Sequence, residues 1–265
     1  MLFLLSPAKT LDFETPVPAA VARRATEALQ LDRAAELIEV LKRKSVSQVA
    51  RLMGLSQPLA ALNVARYAAW QLAPEAGRAK PALLAFDGDV YEGLQARTLK
   101  TADLVWAQDH LVILSGLYGA LRPFDHLQPY RLEMGTALAT KRGKDLYAYW
   151  GDTVAEMLNE RQAAESAPLI VNLASVEYAR AALRPALRAR VVTCVFEDIK
   201  PGAEPRVIGF YAKKARGQMA RFAVQAKVRS VRALEAFNAG GYALDRAAST
   251  ADRLVFRRDT AMSAA

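Results

Sequence analysis

The chain has 265 residues, 52% of them hydrophobic and 24% charged, with a formal net charge of +9. This balance excludes a disordered or fibrous polymer and supplies enough apolar material for a proper core. The single cysteine, Cys194, excludes an intrachain disulfide, and with only His110 and His126 beside it the set of zinc ligands is poor, so no metal site is assigned.

In chain order, the run M-L-F-L-L predicts a strand at residues 2–5, closed by the polar turn S-P-A-K-T. Its apolar stretch is too short for a signal peptide and lacks a basic leader, and no later stretch is long enough to cross a bilayer. The expectation is a cytoplasmic protein that does not engage membranes. Residues 31–44 read as an amphipathic helix with a basic end at Lys42, Arg43 and Lys44. A helix pair follows at residues 47–53 and 58–70. Residues 82–86 read as a strand, 101–110 as a helix and 111–115 as a strand. One long helix is predicted over 143–161, strands at 169–173 and 191–196, and a strand at 206–211 leading into a basic helix. A last short strand is expected at 254–257. Cys194, in V-V-T-C-V-F, reads as a small buried hydrophobe. Strands separated by helices predict a mixed α/β (α+β) fold with a sheet covered by helices. With no linker, repeat or low-complexity tract to divide it, residues 1–258 are expected to form one compact domain and 259–265 a frayed tail.

Polar motifs interrupt this pattern after several predicted strands: S-P-A-K-T-L-D, F-D-G-D-V-Y-E-G-L, L-S-G-L-Y-G-A-L-R-P-F-D, P-Y-R-L-E-M-G and N-L-A-S-V-E-Y. Loops beyond strand ends commonly carry ligands in α/β sheets. Lys9, Asp87, Asp89, Tyr118, Arg122, Tyr130, Arg131 and Glu133 are the candidate pocket residues. The arginines suit phosphate or carboxylate, and the carboxylates suit acid–base work or a hard cation. Turn chemistry and ion pairing account for the same residues without any ligand.

Two features point to a polyanion. Residues 206–232 hold eight cations and no Asp or Glu, so their field has no local neutralisation. Residues 49–60, V-A-R-L-M-G-L-S-Q-P-L-A, approximate a helix-hairpin-helix within an element at about 47–70. Ser56 stands where that pattern has its second glycine, and Asn63 occupies a usually apolar place. An ordinary helical hairpin gives much the same pattern. Candidate DNA-backbone contacts are Lys44, Arg51, Gly54, Leu55, Ser56, Gln57 and Arg66 of the hairpin, with Lys213, Lys214, Arg216 and Arg221 of the basic helix.

In the same order along the chain, these motifs resemble those of the YaaA peroxide-stress family. F-Y-A-K-K-A-R-G-Q-M-A-R and F-N-A-G-G-Y extend the match nearly to the end. The resemblance implies a "cantaloupe" α/β fold with a helix-hairpin-helix and a basic cleft, and a DNA-binding protein that limits damage from hydrogen peroxide and free iron. It implies no catalytic residue and no cofactor. The leading expectation is therefore structure-tolerant, sequence-nonspecific binding to duplex or distorted DNA. The alternatives are an enzyme acting on a nucleotide or other small anion at the motif loops, and carboxylate-based iron handling through Asp87 and Asp89.

Overall fold

The computed structural model describes residues 1–75 and 77–259. Its centre is a seven-stranded sheet. In chain order the strands are β1 (Leu2–Leu5), β2 (Leu111–Ser115), β3 (Gly119–Leu121), β4 (Leu169–Asn172), β5 (Arg190–Ile199), β6 (Ala243–Leu244) and β7 (Arg253–Asp259). Across the sheet the order is β6-β7-β5-β4-β1-β2-β3. The middle five strands are parallel, and β6 and β3 close the two edges antiparallel.

Every residue of β1 is buried, so both faces of the sheet are covered there. Phe3 pairs with Leu111 on one side and with Val171 on the other. Further out, β5 alternates, turning Val192, Cys194, Phe196 and Asp198 inward. Cys194 is a buried free thiol. The helices Thr101–His110 and Gly209–Gln225 pack on each other and on β1, while the helices Thr153–Arg161 and Val176–Ala182 pack on each other and near β2 and β3. The whole is one compact mixed α/β domain.

Three sequence expectations are corrected. Residues 82–86 are not one strand: Ala82–Ala85 is a buried helical turn opened by Pro81, and only Phe86–Asp87 is extended. A-L-L-A contains no β-branched residue, so nothing local opposes the turn. The long helix over 143–161 is two helices, Leu146–Trp150 and Thr153–Arg161, because the chain breaks at Gly151 with φ 50°. Residues 206–211 are not a strand. Arg206 makes an isolated bridge to Asp198, and the basic helix already begins at Gly209. The short strands β3 and β6 escaped the sequence reading. Of the expected tail, Asp259 ends β7 and residues 260–265 lie outside the described residues.

Candidate functional site

Parallel strands gather their carboxyl ends at one edge of the sheet, and here two neighbours, β1 and β4, send their chains to opposite sides. From β1 the chain crosses to β2, and from β4 it crosses to β5, on the other flank. A crevice opens beyond the strand ends at such a switch point. Ser6, just past β1, and Ser175, just past β4, meet across it. The Ser175 N–H donates to Ser6 Oγ at 2.9 Å, and the Ser6 hydroxyl donates to Ser175 Oγ at 3.3 Å.

Above this pair lies a cavity of about 490 Å³, walled by the S-P-A-K-T, G-D-V, Y-R-L-E and S-V-E-Y loops and by one face of the basic helix. Six of the eight sequence-derived pocket residues line it: Lys9, Asp87, Asp89, Tyr130, Arg131 and Glu133. Tyr118 and Arg122 lie elsewhere. Tyr118 is buried, its hydroxyl accepting from Trp70 Nε1 and the Gln128 N–H, and burial pushes its pKa up to about 12. Arg122 turns to the buried Asp125 and the Glu27 carbonyl and shapes its own turn. Ser6, Ser175, Glu177 and Tyr178 also wall the cavity. None was singled out as a residue, although each stands in a motif that follows a strand.

Most charges in the cavity are neutralised internally. Arg131 donates to Glu133 Oε1 through Nε at 3.1 Å and Nη2 at 3.0 Å, and Lys9 Nζ stands 3.6 Å from the same oxygen. Lys213 Nζ pairs with Asp89 at 3.3 Å, and Glu177 accepts the Gly135 N–H at 2.8 Å. Lys9, Arg131, Lys213 and Arg216 face Asp87, Asp89, Glu133 and Glu177 around the wall, so its formal charges balance. Ser115 Oγ accepts from the Leu117 and Tyr118 N–H groups and shares a hydrogen bond of 2.6 Å with the Tyr130 hydroxyl. Burial holds that phenol well above its ordinary pKa.

The eight cations of residues 206–232 do not share one trough. Lys213 and Arg216 line the cavity, while Lys214 is exposed on another side of the helix. Arg221 donates through Nη1 to the carbonyls of Leu94 and Gln95 and to Thr98, tying the helix to a neighbouring turn. Lys227 pairs with Asp103.

The helical hairpin comprises Val46–Met53 and Gln57–Ala69. Its first helix starts with a Ser45–Gln48 capping box, and Gly54 ends it in the left-handed conformation, φ 61° and ψ 42°, which only glycine takes without strain. Ser56 occupies the N-cap position of the second helix, but its side chain makes no capping bond. Asn63 is fully buried and donates to the Leu59 carbonyl at 2.8 Å, which resolves its apparent mismatch. Arg51 and the 56–57 tip are exposed. Arg66, nine residues into the second helix, is about 13 Å along its axis from the tip. Its pKa is lowered first by burial, and also by the neighbouring Arg131, which puts it on the cavity side. The adjacent Tyr67 hydroxyl donates to the Arg131 carbonyl at 2.5 Å, so this helix braces the cavity wall.

The sequence profile described as "Peroxide stress protein YaaA" matches residues 1–248. The chain belongs to the YaaA family. Its relatives include a UPF0246 protein of Leptothrix cholodnii, 60% identical over 98% of this chain and 100% of the relative. UPF0246 proteins of Bordetella pertussis, 58% identical over 98% of this chain and 100% of the relative, and of Bordetella avium, 57% identical over 97% and 99%, are similar along the same length. Membership in the YaaA family therefore spans sheet, hairpin and cavity alike. Among the described residues no helix is long and apolar enough to cross a membrane, and no group of three or more His, Cys, Asp or Glu side chains is placed to hold a metal ion.

Proposed function

We propose that this YaaA-family protein protects DNA in the cytoplasm during hydrogen peroxide stress by lying along the sugar-phosphate backbone, where it limits attack by radicals formed from iron and peroxide. The observation that supports this most directly is the hairpin tip. Gln57 and Leu59 sit in the first turn of a thirteen-residue helix, where backbone N–H groups have no intrahelical acceptor, and the Ser56 side chain leaves them uncapped. Ser56 and Gln57 are exposed at the positive end of the helix dipole, a ready seat for a phosphate. Exposed Arg51 stands in the last turn before the tip, half-buried Lys44 lies just before the start of the same helix, and exposed Lys214 supplies charge from the basic helix. Lys213, Arg216 and Arg221 contribute less in this reading, because their side chains are engaged by Asp89, by the cavity or by backbone carbonyls. Contacts of this kind position a protein on DNA without reading bases, so binding is nonspecific in sequence.

Fluorescence anisotropy of a labelled duplex across a salt series tests the reading. Combined Lys44→Ala, Arg51→Ala and Lys214→Ala changes flatten the log–log salt slope by up to about 2.7, at about 0.9 for each phosphate released. A folded triple variant with unchanged slope and affinity overturns it. A second duplex of unrelated sequence binds within about twofold of the first.

A further inference from the structure

Two charged side chains in the cavity have no partner among the described residues. Arg216 is the first. Its Nε is sealed from solvent with no acceptor, and its guanidinium enters no ion pair, while Lys213 one turn earlier is taken by Asp89. Asp87 is the second: it lies exposed in the loop-built part of the wall, makes no ion pair, and pairs through its backbone with Thr10. The other acids of the wall are engaged, Glu133 by Arg131 and Lys9, Asp89 by Lys213, and Glu177 by the Gly135 N–H. A guanidinium withdrawn from water without a counter-charge is unfavourable, and an anion seated on it relieves that cost.

We infer that the cavity binds a small organic anion whose phosphate or carboxylate group seats on Arg216 and whose amine or hydroxyl group reaches Asp87. The planar fork of guanidinium donors matches either oxyanion. An ionised carboxylate such as Asp87 offers only acceptors, so the far end of the ligand must carry N–H or O–H donors. Tyr130 and the Ser6–Ser175 pair line the same cavity and add polar groups beside the ligand. A volume of about 490 Å³ takes a nucleotide-sized or smaller metabolite and not a duplex. The site is therefore separate from the DNA reading and goes beyond it.

The test uses the full chain and two panels, nucleoside monophosphates and the free amino acids, scored by thermal shift and then by calorimetry. At least one compound from one panel raises the melting temperature. Hits confined to the nucleotides assign the phosphate arm, and hits confined to the amino acids assign the carboxylate arm. Arg216→Gln weakens the hit at least tenfold, and Asp87→Asn weakens it several-fold while leaving inorganic phosphate binding unchanged. Without ligand, Arg216→Gln melts no lower than the parent, since the variant loses a charge that had no partner. Absence of any hit in both panels overturns the inference, as does a hit that Arg216→Gln binds equally well. Because Arg216 lies inside the cavity, Arg216→Gln leaves the DNA salt slope unchanged. A flattened slope with no small-molecule hit reassigns Arg216 to DNA and sinks the site without touching the hairpin reading.

Discussion

Asp198 lies on the inner face of β5 with no exposed surface, accepting from Arg258 Nε at 2.8 Å and from the Tyr242 hydroxyl at 3.0 Å. The guanidinium of Arg258 is held between the rings of Tyr211 and Tyr242, at 4.4 and 4.8 Å from their centroids, and its side chain is only 15% exposed. Asp198→Asn leaves that cation without its counter-charge in a poorly solvated place, and the expected loss of stability is about 3–5 kcal/mol. Urea denaturation checks this through a lower midpoint at unchanged m-value. Candidate residues were legible in the sequence only to the extent that their type announced their chemistry. Arg131 and Glu133 were found in a conspicuous loop motif. Arg216 stands out in the sequence only as part of a charge run, yet its lack of an ion pair among the described residues is a three-dimensional fact. Tyr118 and Arg122 misled because a Tyr or Arg in a Gly-rich loop has the same composition whether it faces a ligand or closes a turn.

The basic helix Gly209–Gln225 owes its position to a close crossing with the short helix Asp89–Leu94. Gly217 and Gly93 lie at the crossing. A Cβ on Gly217 would stand 1.8 Å from the Val90 carbonyl oxygen, and one on Gly93 would stand 2.1 Å from that of Lys214. No side-chain rotation relieves a clash with backbone. Gly217→Ala therefore costs about 3 kcal/mol or more. It also pushes Lys213 away from Asp89 and shifts Arg216 in the cavity wall, so cavity binding falls further than stability alone explains. Thermal denaturation alongside ligand titration separates the two effects. Local pattern carried the element assignments that depended on period. The strand at residues 2–5, the helix Thr101–His110 and the strand Leu111–Ser115 emerged with their observed bounds. It failed where a single backbone angle decided the outcome, as at Gly151, and where pairing was too brief to leave an alternating signature, as in β3 and β6.

Acid should unsettle the molecule as a whole in two stages. Burial holds His110 and His126 below the ordinary imidazole value of 6.5. The unfolded chain therefore takes up protons first as pH falls, and stability is complete above 6.5 and declines from there toward the lowered folded values. Asp12 adds a later stage. Burial opposes its charge, but hydrogen bonds from Thr15 and the charges of Lys80 and Arg97 hold its carboxyl well below the ordinary 3.8. Its contribution persists above 3.8 and disappears as pH falls further. Melting temperatures at pH 7.5, 5.5 and 3.5 should descend in that order, and a flat profile between 7.5 and 5.5 would contradict the histidine assignment.

The buried position of β1 also bears on how the protein is made. Residues 2–5 leave the ribosome before any of their neighbours, yet their two pairing partners end at Ser115 and Asn172. At about 5–20 residues per second, translation needs on the order of ten seconds or more to deliver both flanks. During that interval L-F-L-L trails from the exit tunnel with its hydrogen-bonding edges open, an invitation to a holding chaperone or to a neighbouring nascent chain.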